Sequence, residues 1–561
     1  MRITSLDISG FRGLETMVEF AAPLALVVGA NNAGKTSIID ALRSIFVPFS
    51  EGLGNRWITP SDFTRVAEGT ASKEIVITAT IEDIPLSLRG RLISILSPSN
   101  GEGIAKLTLR SHLRSDGRPV SRWYGGDLGT NEVEQIARDA VRFVYMPALR
   151  DAAADLRPGQ NNRLANLVGA YAPPGHADRQ GLVDIVDGAN KLLSKVGAIV
   201  ASAAAIQDRL TGVTGAGPYS HSSSLSFSQP RFEKIVSSLQ ALAGGTTPEQ
   251  LAENGLGYNN LLYVSVLLAA LETDKTIPLN LLLIEEPESH LHPQLQSLLL
   301  DYLEGLSDAS TQVIATTHSP QFASSADVER ITVLSRSSTA TEKVMANRLG
   351  HAPLSKKEFG HIRRFLDATK SMMLFANAVI LVEGMAELLL VPVLAKRAGV
   401  NLPEQGISVV SVDGLAFAPF IHLFGDRGLR HFCMVLSDSD LDAGGQLSAM
   451  AAKLLGMTRT NVQVKLSRKT FEWDLANENV ANSDVMIRAL KEVKPQVGSR
   501  LEKTDFANPV EFADALLAAV SDVKGLFAQE LAYILTSEPT TRFNLPKYIG
   551  DALGEMTGEE P

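Results

Sequence analysis

The chain has one cysteine, Cys433, in 561 residues. It stands between Phe432 and Met434 in an apolar strand pattern, which excludes disulfides within the chain and thiolate metal clusters and predicts a core thiol. Long apolar runs are missing too. None reaches the roughly 18 residues that a spanning helix needs, and residues 1–10, carrying Arg2 and Asp7, lack the apolar centre of a signal peptide. A cytoplasmic protein with no membrane partner is therefore expected. Positive charge is not in excess: Lys and Arg number 52 against 62 Asp and Glu, a formal net charge of −10, so any nucleic-acid contact must come from local patches. Hydrophobic content of 45% and charged content of 20% are those of a globular protein. The length exceeds one ordinary core and predicts about two to four domains.

The strongest local signal is Gly29-Ala30-Asn31-Asn32-Ala33-Gly34-Lys35-Thr36, preceded by the apolar run 24–28 and followed by Ser37-Ile38-Ile39-Asp40-Ala41-Leu42. A glycine-rich turn between strand and helix, ending in Lys-Thr, has the form of a Walker A loop. Its N–H groups face phosphate, the helix N-terminus adds positive potential, Lys35 reaches the terminal phosphates and Thr36 holds Mg²⁺. The expected nucleotide-binding residues are thus Gly29, Asn31, Asn32, Gly34, Lys35, Thr36 and Ser37. Residues 1–23 alternate apolar and polar around Gly10-Phe11-Arg12-Gly13, predicting a hairpin, and 74–81, 105–113 and 141–147 read as strands. Residues 155–210 turn alanine-rich with helical spacing, and 211–230, with Pro218 and Pro230, reads as loop. We take 155–235 as a helical insertion. It would serve either for dimerisation or as a lid on the same core.

A second glycine pair, Gly255 and Gly257, precedes the apolar helix 261–271 and forms another candidate phosphate cradle. The apolar strand at 281–284 then ends in Glu285-Glu286, a Walker B pattern in which Glu285 supports Mg²⁺ and Glu286 polarises the attacking water. Strand 312–317 ends at His318, placed to meet the γ-phosphate. In this order the motifs resemble the ATPase domain of the ABC superfamily, in its SMC-like DNA-repair branch. That resemblance implies ATP sandwiched between two protomers, with Gly255 and Gly257 acting on the partner's phosphate loop. Two departures stand out: Glu285 occupies a place where most of the superfamily has Asp, and the glutamine that ligates Mg²⁺ has no identifiable counterpart. His290 and His292 fall where the family has its D-loop, a better reading than zinc for two alternating histidines.

A fresh α/β pattern begins at Ala378, after a charged connector (346–376) that contains Lys356-Lys357 and Arg363-Arg364. Three strands end in acidic or glycine positions: 379–382 before Glu383-Gly384 with Glu387 following, 407–412 before Asp413-Gly414, and 432–436 before Ser437-Asp438-Ser439-Asp440. Carboxylates two residues apart on a pleated strand would point the same way and offer hard oxygen ligands to a divalent metal. This succession resembles a Toprim domain, and an SMC-like ATPase followed by Toprim resembles the overcoming-lysogenization-defect (OLD) nucleases, including the Gabija type, over essentially the whole chain. Glu472 matches that family's extra acidic ligand and Lys524-Gly525 its C-terminal motif. The resemblance implies two metal ions, Mg²⁺ with Mn²⁺ or Ca²⁺ as substitutes, on Glu383, Glu387, Asp438, Asp440 and Glu472, with Lys524 stabilising the phosphate. Asp442 and Asp474 are reserves, and Lys465, Arg468 and Lys469 are candidate DNA contacts.

The expected fold is α/β: an ABC-type ATPase domain (1–154 and 236–345) with the helical insertion, then a Rossmann-like Toprim domain with a helical extension (377–561). The expected function is an ATP-regulated, metal-dependent DNA endonuclease in phage defence or DNA repair. Its expected partners are DNA, a second copy of itself and, as in Gabija systems, a UvrD-type helicase. The competing reading is an SMC-like repair or scaffold ATPase without nuclease activity.

Overall fold

The structure is a computed structural model that describes residues 1–48, 56–65, 72–148, 156–159, 162–215, 217–243, 249–250, 255–271, 273, 277–306, 310–336, 344–414, 416–441, 445–478 and 480–558. Asp442, a reserve acidic residue in the sequence reading, lies outside these, as do 149–155 and 251–254. The chain divides into two compact units, Met1–Ala148 with Leu279–Glu288 and Pro293–Pro561, and Leu149–Pro278 with Ser289–His292.

In chain order the strands are β1 (Arg2–Phe11), β2 (Leu14–Glu19), β3 (Leu24–Gly29), β4 (Val47–Pro48), β5 (Glu74–Glu82), β6 (Ala105–Leu113), β7 (Pro119–Gly125), β8 (Asn131–Glu132) and β9 (Val141–Met146). The second unit holds β10 (Leu242–Ala243) and β11 (Glu249–Gln250). Back in the first unit come β12 (Leu279–Glu285), β13 (Thr311–Thr316), β14 (Ile331–Arg336) and β15 (Val344–Arg348), followed by β16 (Ala378–Val382), β17 (Ile407–Ser411), β18 (Phe432–Ser437) and β19 (Val462–Leu466).

The first unit contains three sheets among the described residues. One is antiparallel in the order β2-β1-β5-β6-β7-β8, with the predicted hairpin in register at Leu6 and Val18. Alternation in β5 buries Ile75, Ile77, Ala79 and Ile81 and leaves the other face partly wet, as a one-sided sheet requires. The second sheet, β15-β14-β3-β13-β12-β9-β4, is parallel except for β15. Its central strands β3 and β12 are buried along their whole length, which explains why they read as unbroken apolar runs. The third sheet, β17-β16-β18-β19, is wholly parallel. Helices Met385–Arg397, Phe471–Asn477 and Lys524–Ser537 pack on it through Leu390, Leu394, Leu475, Phe527 and Leu531. Cys433 is fully buried in β18, and burial pushes its thiol pKa up.

The second unit is largely helical: Arg163–Tyr171, Ala177–Leu193, Gly197–Thr214 and Leu256–Leu271. Helix Gly197–Thr214 runs into the stretch predicted as loop from 211. Thr211 lies within it, its hydroxyl donating to the Gln207 carbonyl, and Gly215, at φ +64°, ends it. The apolar helix likewise starts at Leu256, five residues earlier than its hydropathy suggested. No single helix among the described residues is long and apolar enough to cross a membrane.

Candidate functional site

Two groups of polar residues collect at carboxyl ends of parallel strands. The first surrounds the phosphate loop. β3 ends at Gly29, whose φ of +152° and close packing fix its identity: a Cβ there would lie 2.6 Å from the Leu334 carbonyl oxygen. Gly34 (φ +102°) caps helix Lys35–Ile45, and Asn32 also takes a left-handed conformation (φ +61°). Asn31, Asn32 and Thr36 are exposed, whereas the Lys35 ammonium is buried and donates to the carbonyls of Gly29 (2.6 Å) and Ala30 (2.9 Å). Burial lowers the Lys35 pKa to about 8, against the opposing pull of Glu286 and Glu288. An anion arriving in the loop would raise it again.

Glu285 ends β12 and is buried; it accepts from the Thr36 hydroxyl (3.1 Å) and the Tyr145 hydroxyl (3.0 Å). Burial raises its pKa despite these donors. Glu286 follows in a left-handed conformation (φ +46°), turned out of the strand with its Oε1 3.8 Å from His318 Nε2. Both side chains are partly exposed, as groups that must meet a ligand have to be. His318 is pushed toward its neutral form by burial and by the Lys35 charge, with Glu286 opposing. Glu288, buried, accepts from the Thr317 hydroxyl and the His318 amide (3.3 Å), which fixes the loop that carries His318.

Several contacts around this site were not anticipated from sequence. Tyr145 sits on β9, whose register with β12 places it beside Leu283, two residues before Glu285. Arg43 covers the Tyr145 ring at 3.7 Å and pairs with Asp40 (2.7 Å), and Asp40 joins Asp62 in binding Arg12 and Arg56. Only the polar hydroxyl on an otherwise apolar strand end hinted at Tyr145, and pairing of distant strands is what gives it a partner.

In the second unit Gly255 is exposed at the start of helix Leu256–Leu271, its carbonyl accepting from the amides of Tyr258 and Asn259. Gly257 packs against the 289–292 segment so closely that a Cβ would lie 2.5 Å from the His290 carbonyl oxygen, while Asn260 donates to the Ser289 carbonyl (2.8 Å). The glycine pair and the His290–His292 stretch therefore form one structural piece. His290 adopts a left-handed backbone there (φ +65°).

The second polar group lies on the four-stranded sheet. β16 is first in the chain, β17 pairs on one side and β18 on the other, so the crevice between the ends of β16 and β18 is a topological switch point, where open α/β sheets bind ligands. Glu383 follows β16 and Asp438 follows β18. Glu387 caps its own helix through the Gly384 amide (3.2 Å). Asp438, buried, accepts from the Phe471 amide (2.8 Å) and the Ser467 hydroxyl (3.2 Å). Glu472, also buried, pairs with Lys524 at 3.0 Å. Burial and the charges of its neighbours push Glu387 up to about 7, and burial with the charges of Glu387, Glu383 and Glu472 pushes Asp438 up to about 8. Burial works against the charge of Lys524, but Glu472, Asp438 and Glu387 outweigh it and raise its pKa.

Asp440 departs from the expected geometry. β18 ends at Ser437, Asp438 is buried, and Asp440 is exposed with φ +45°, its amide donating to the Lys469 carbonyl. The pleat that would align two carboxylates has ended before either, so a turn sets their directions. Asp474 faces away from this role, accepting from the Arg468 amide at 2.8 Å. Of the candidate DNA contacts, Lys465 pairs with Glu555 and Lys469 with Asp514 (2.8 Å). Among the described residues no three His, Cys, Asp or Glu side chains converge tightly enough to enclose a metal ion in this arrangement. The donor set nonetheless fits a divalent cation: the acidic groups Glu383, Glu387, Asp438 and Glu472 repel one another's charge, and Lys524, paired with Glu472, is the cation beside them, a charge imbalance that such an ion relieves.

A phosphate loop with its Walker B strand, followed by an acidic switch-point crevice on a separate parallel sheet, defines an ATPase domain joined to a Toprim domain. Residues 1–89 and 193–323 match the AAA ATPase domain family, and residues 374–440 match the family described as overcoming lysogenization defect protein-like, TOPRIM domain. The chain is similar to the uncharacterized protein YbjD of Escherichia coli K12, with 26% identity over 501 residues covering 82% of this chain and 83% of that one. It is also similar to the Old nuclease of Escherichia phage P2, at 23% identity over 74% of this chain and 73% of that one. A third relative, the endonuclease GajA of Bacillus cereus HuB5-5, is 24% identical, and the match spans 54% of each chain.

Proposed function

We propose that the chain is an ATP-regulated, divalent-metal-dependent DNA endonuclease, working as a homodimer in phage defence or DNA repair. The observation that carries this reading is the switch-point crevice, where Glu383, Glu387, Asp438 and Glu472 act electrostatically on one another and Lys524 pairs with Glu472. Nuclease names among the relatives support it. Glu383, Glu387, Asp438 and Glu472, joined by Asp440 from the adjoining turn, would hold Mg²⁺ or a similar ion, which when bound supplies an activated water and stabilises the leaving oxygen. With Glu472 engaged by such an ion, Lys524 would be free to face the phosphate, a task for a compact cation without base specificity. Lys465 and Lys469 exchange their carboxylate partners for DNA phosphates, and binding is accordingly salt-dependent. At the other site Lys35 and Thr36 hold ATP and Mg²⁺, Glu286 orients the attacking water and His318 meets the γ-phosphate. Gly255 and Gly257 close over the partner's loop, with the helical insertion joining the protomers.

The test is supercoiled plasmid with Mg²⁺ or Mn²⁺, with and without ATP, for the wild type, Asp438→Ala and Glu286→Gln. Metal-dependent relaxation or linearisation by the wild type, lost in Asp438→Ala, is expected. An intact plasmid under every condition, or full cutting by Asp438→Ala, refutes the nuclease assignment. Glu286→Gln should stop ATP turnover while leaving metal-dependent cutting competent.

A further inference from the structure

Between the ATPase sheet and the Toprim sheet, within the same compact unit, lies a short 3-10 turn, Lys370–Leu374. Its first two residues reach in opposite directions. The Ser371 hydroxyl lies 2.7 Å from the Pro320 carbonyl, at the start of helix Pro320–Ser325 and two residues beyond His318, and shares its one proton between that acceptor and the Ala368 carbonyl at 2.9 Å. The Lys370 ammonium donates to Asp367 (2.7 Å) within the connector and to Asp413 (2.6 Å) just past β17. Lys370 is buried, with its side chain only 6% exposed. A lysine so placed cannot leave its carboxylates without stranding a charge in low dielectric.

Asp413 is itself tied to the acidic crevice. It holds a left-handed conformation (φ +54°), braced by the Ser411 hydroxyl, which donates to its Oδ1 (2.9 Å) and accepts from its amide (3.0 Å). The next residue, Gly414, donates its amide to the Glu383 carbonyl (2.8 Å), and Val412 donates to the Val382 carbonyl (2.9 Å). Every link from Pro320 to Glu383 is thus a hydrogen bond or ion pair of ordinary length, joined by short backbone segments. Neither Lys370 nor Ser371 touches the nucleotide residues or the acidic group, so neither has a chemical task of its own there.

We propose that Lys370 and Ser371 are positioning residues that couple the His318 loop of the ATPase site to the Glu383 end of the Toprim crevice, so that nucleotide occupancy sets the backbone geometry of the metal-binding carboxylate. The coupling rests on the proposed function above in taking both sites as working sites. A shift of the His318 loop on meeting a γ-phosphate moves Pro320, the rigid turn carries the motion to Lys370, and the ion pair between the buried Lys370 and the half-exposed Asp413 imposes it on Asp413 and Gly414. By linkage the effect is reciprocal, and metal at the crevice alters nucleotide affinity by the same factor.

Hydrogen exchange on the full chain, with and without a non-hydrolysable ATP analogue and Mg²⁺, tests this for the wild type, Lys370→Met and Ser371→Ala. In the wild type the analogue should slow exchange at 29–40 and change it at 379–388 and 410–414. Each variant should keep the protection at 29–40, which also shows that it is folded, and lose the change at 379–388. A wild type without any response at 379–388, or a Ser371→Ala variant that retains it at full amplitude, overturns the proposal. In the plasmid assay, the ratio of cutting with and without ATP, about 5- to 150-fold for an ordinary coupling, should fall toward unity in both variants. Absence of cutting by the wild type would refute the nuclease reading alone and leave the exchange result to decide the coupling.

Discussion

Tyr145→Phe removes one oxygen and tests whether the Walker B carboxylate is positioned by a side chain that no motif contains. The lost hydroxyl donates to Glu285 Oε1 at 3.0 Å, and Glu285 Oε2 keeps its bond from Thr36 at 3.1 Å. The ring stays, and with it the Arg43 guanidinium stacked at 3.7 Å, so packing is nearly conserved. What changes is a hydrogen bond to a buried carboxylate, a class worth about 1.5–3 kcal/mol. Removing a donor to the ionised form also raises the Glu285 pKa further, in the direction burial already pushes it. Because the proposed function needs Glu285 ionised to support Mg²⁺ beside Thr36, the loss should fall on nucleotide turnover. Steady-state phosphate release with Mg²⁺ and ATP should show kcat/KM lower by roughly 10- to 100-fold, since each 1.4 kcal/mol is a factor of ten. A double-mutant cycle with Glu285→Gln should give an interaction energy of about 0.5–3 kcal/mol, as expected for residues in contact. Unchanged turnover, or strictly additive effects of the two substitutions, would refute the positioning role.

Three further outcomes follow from the same geometry. Gly257→Ala forces a Cβ to within 2.5 Å of the His290 carbonyl oxygen, so it should cost about 1–3 kcal/mol and depress ATP turnover, whereas the exposed Gly255, with open space around it, should tolerate alanine structurally; circular dichroism melts and phosphate release distinguish the two. In chelator, the raised Glu387 and Asp438 hold protons in the folded state that the unfolded chain releases from about pH 4, so stability should fall as pH rises through about 7 to 8. Thermal shifts from pH 5 to 9 should show that decline and its reversal by Mn²⁺; a flat profile in chelator counts against the crevice. His431, buried against Phe424 and lowered to about 4 chiefly by burial, acts with the opposite sign: below its unfolded pKa of about 6.5 the unfolded state binds the extra proton, so stability drops as pH falls toward 4, and His431→Phe should flatten that slope in urea titrations.

The phosphate loop, its Walker B strand and the acidic strand ends were legible as sequence because each depends on local rules. A left-handed Gly29, a helix starting at Lys35 and an unbroken apolar β12 are properties of a few consecutive residues, and so are the alternation of β5 and the hairpin of β1 and β2. Asp438 was legible for the same reason, as a carboxylate following an apolar strand. Sequence failed where direction matters: strand periodicity ends at Ser437, so it could not say that Asp438 turns inward and Asp440 outward. It also missed where helix Gly197–Thr214 stops, because the composition that reads as loop begins inside the last helical turn and only Gly215 ends it.

Sequence alone therefore determined which chemistries the chain holds: a triphosphate loop near the N-terminus and a set of hard-oxygen ligands in the last third, with no cysteine chemistry beside them. Tertiary structure decided which residues act together. Tyr145 meets Glu285 because β9 pairs with β12, the crevice exists because β17 and β18 flank β16 on opposite sides, and Lys370 meets Asp413 because the turn Lys370–Leu374 packs beside β17. Those meetings join residues 43 to 140 positions apart in sequence, and only the pairing of distant strands and the packing of the turn beside β17 bring such residues into contact.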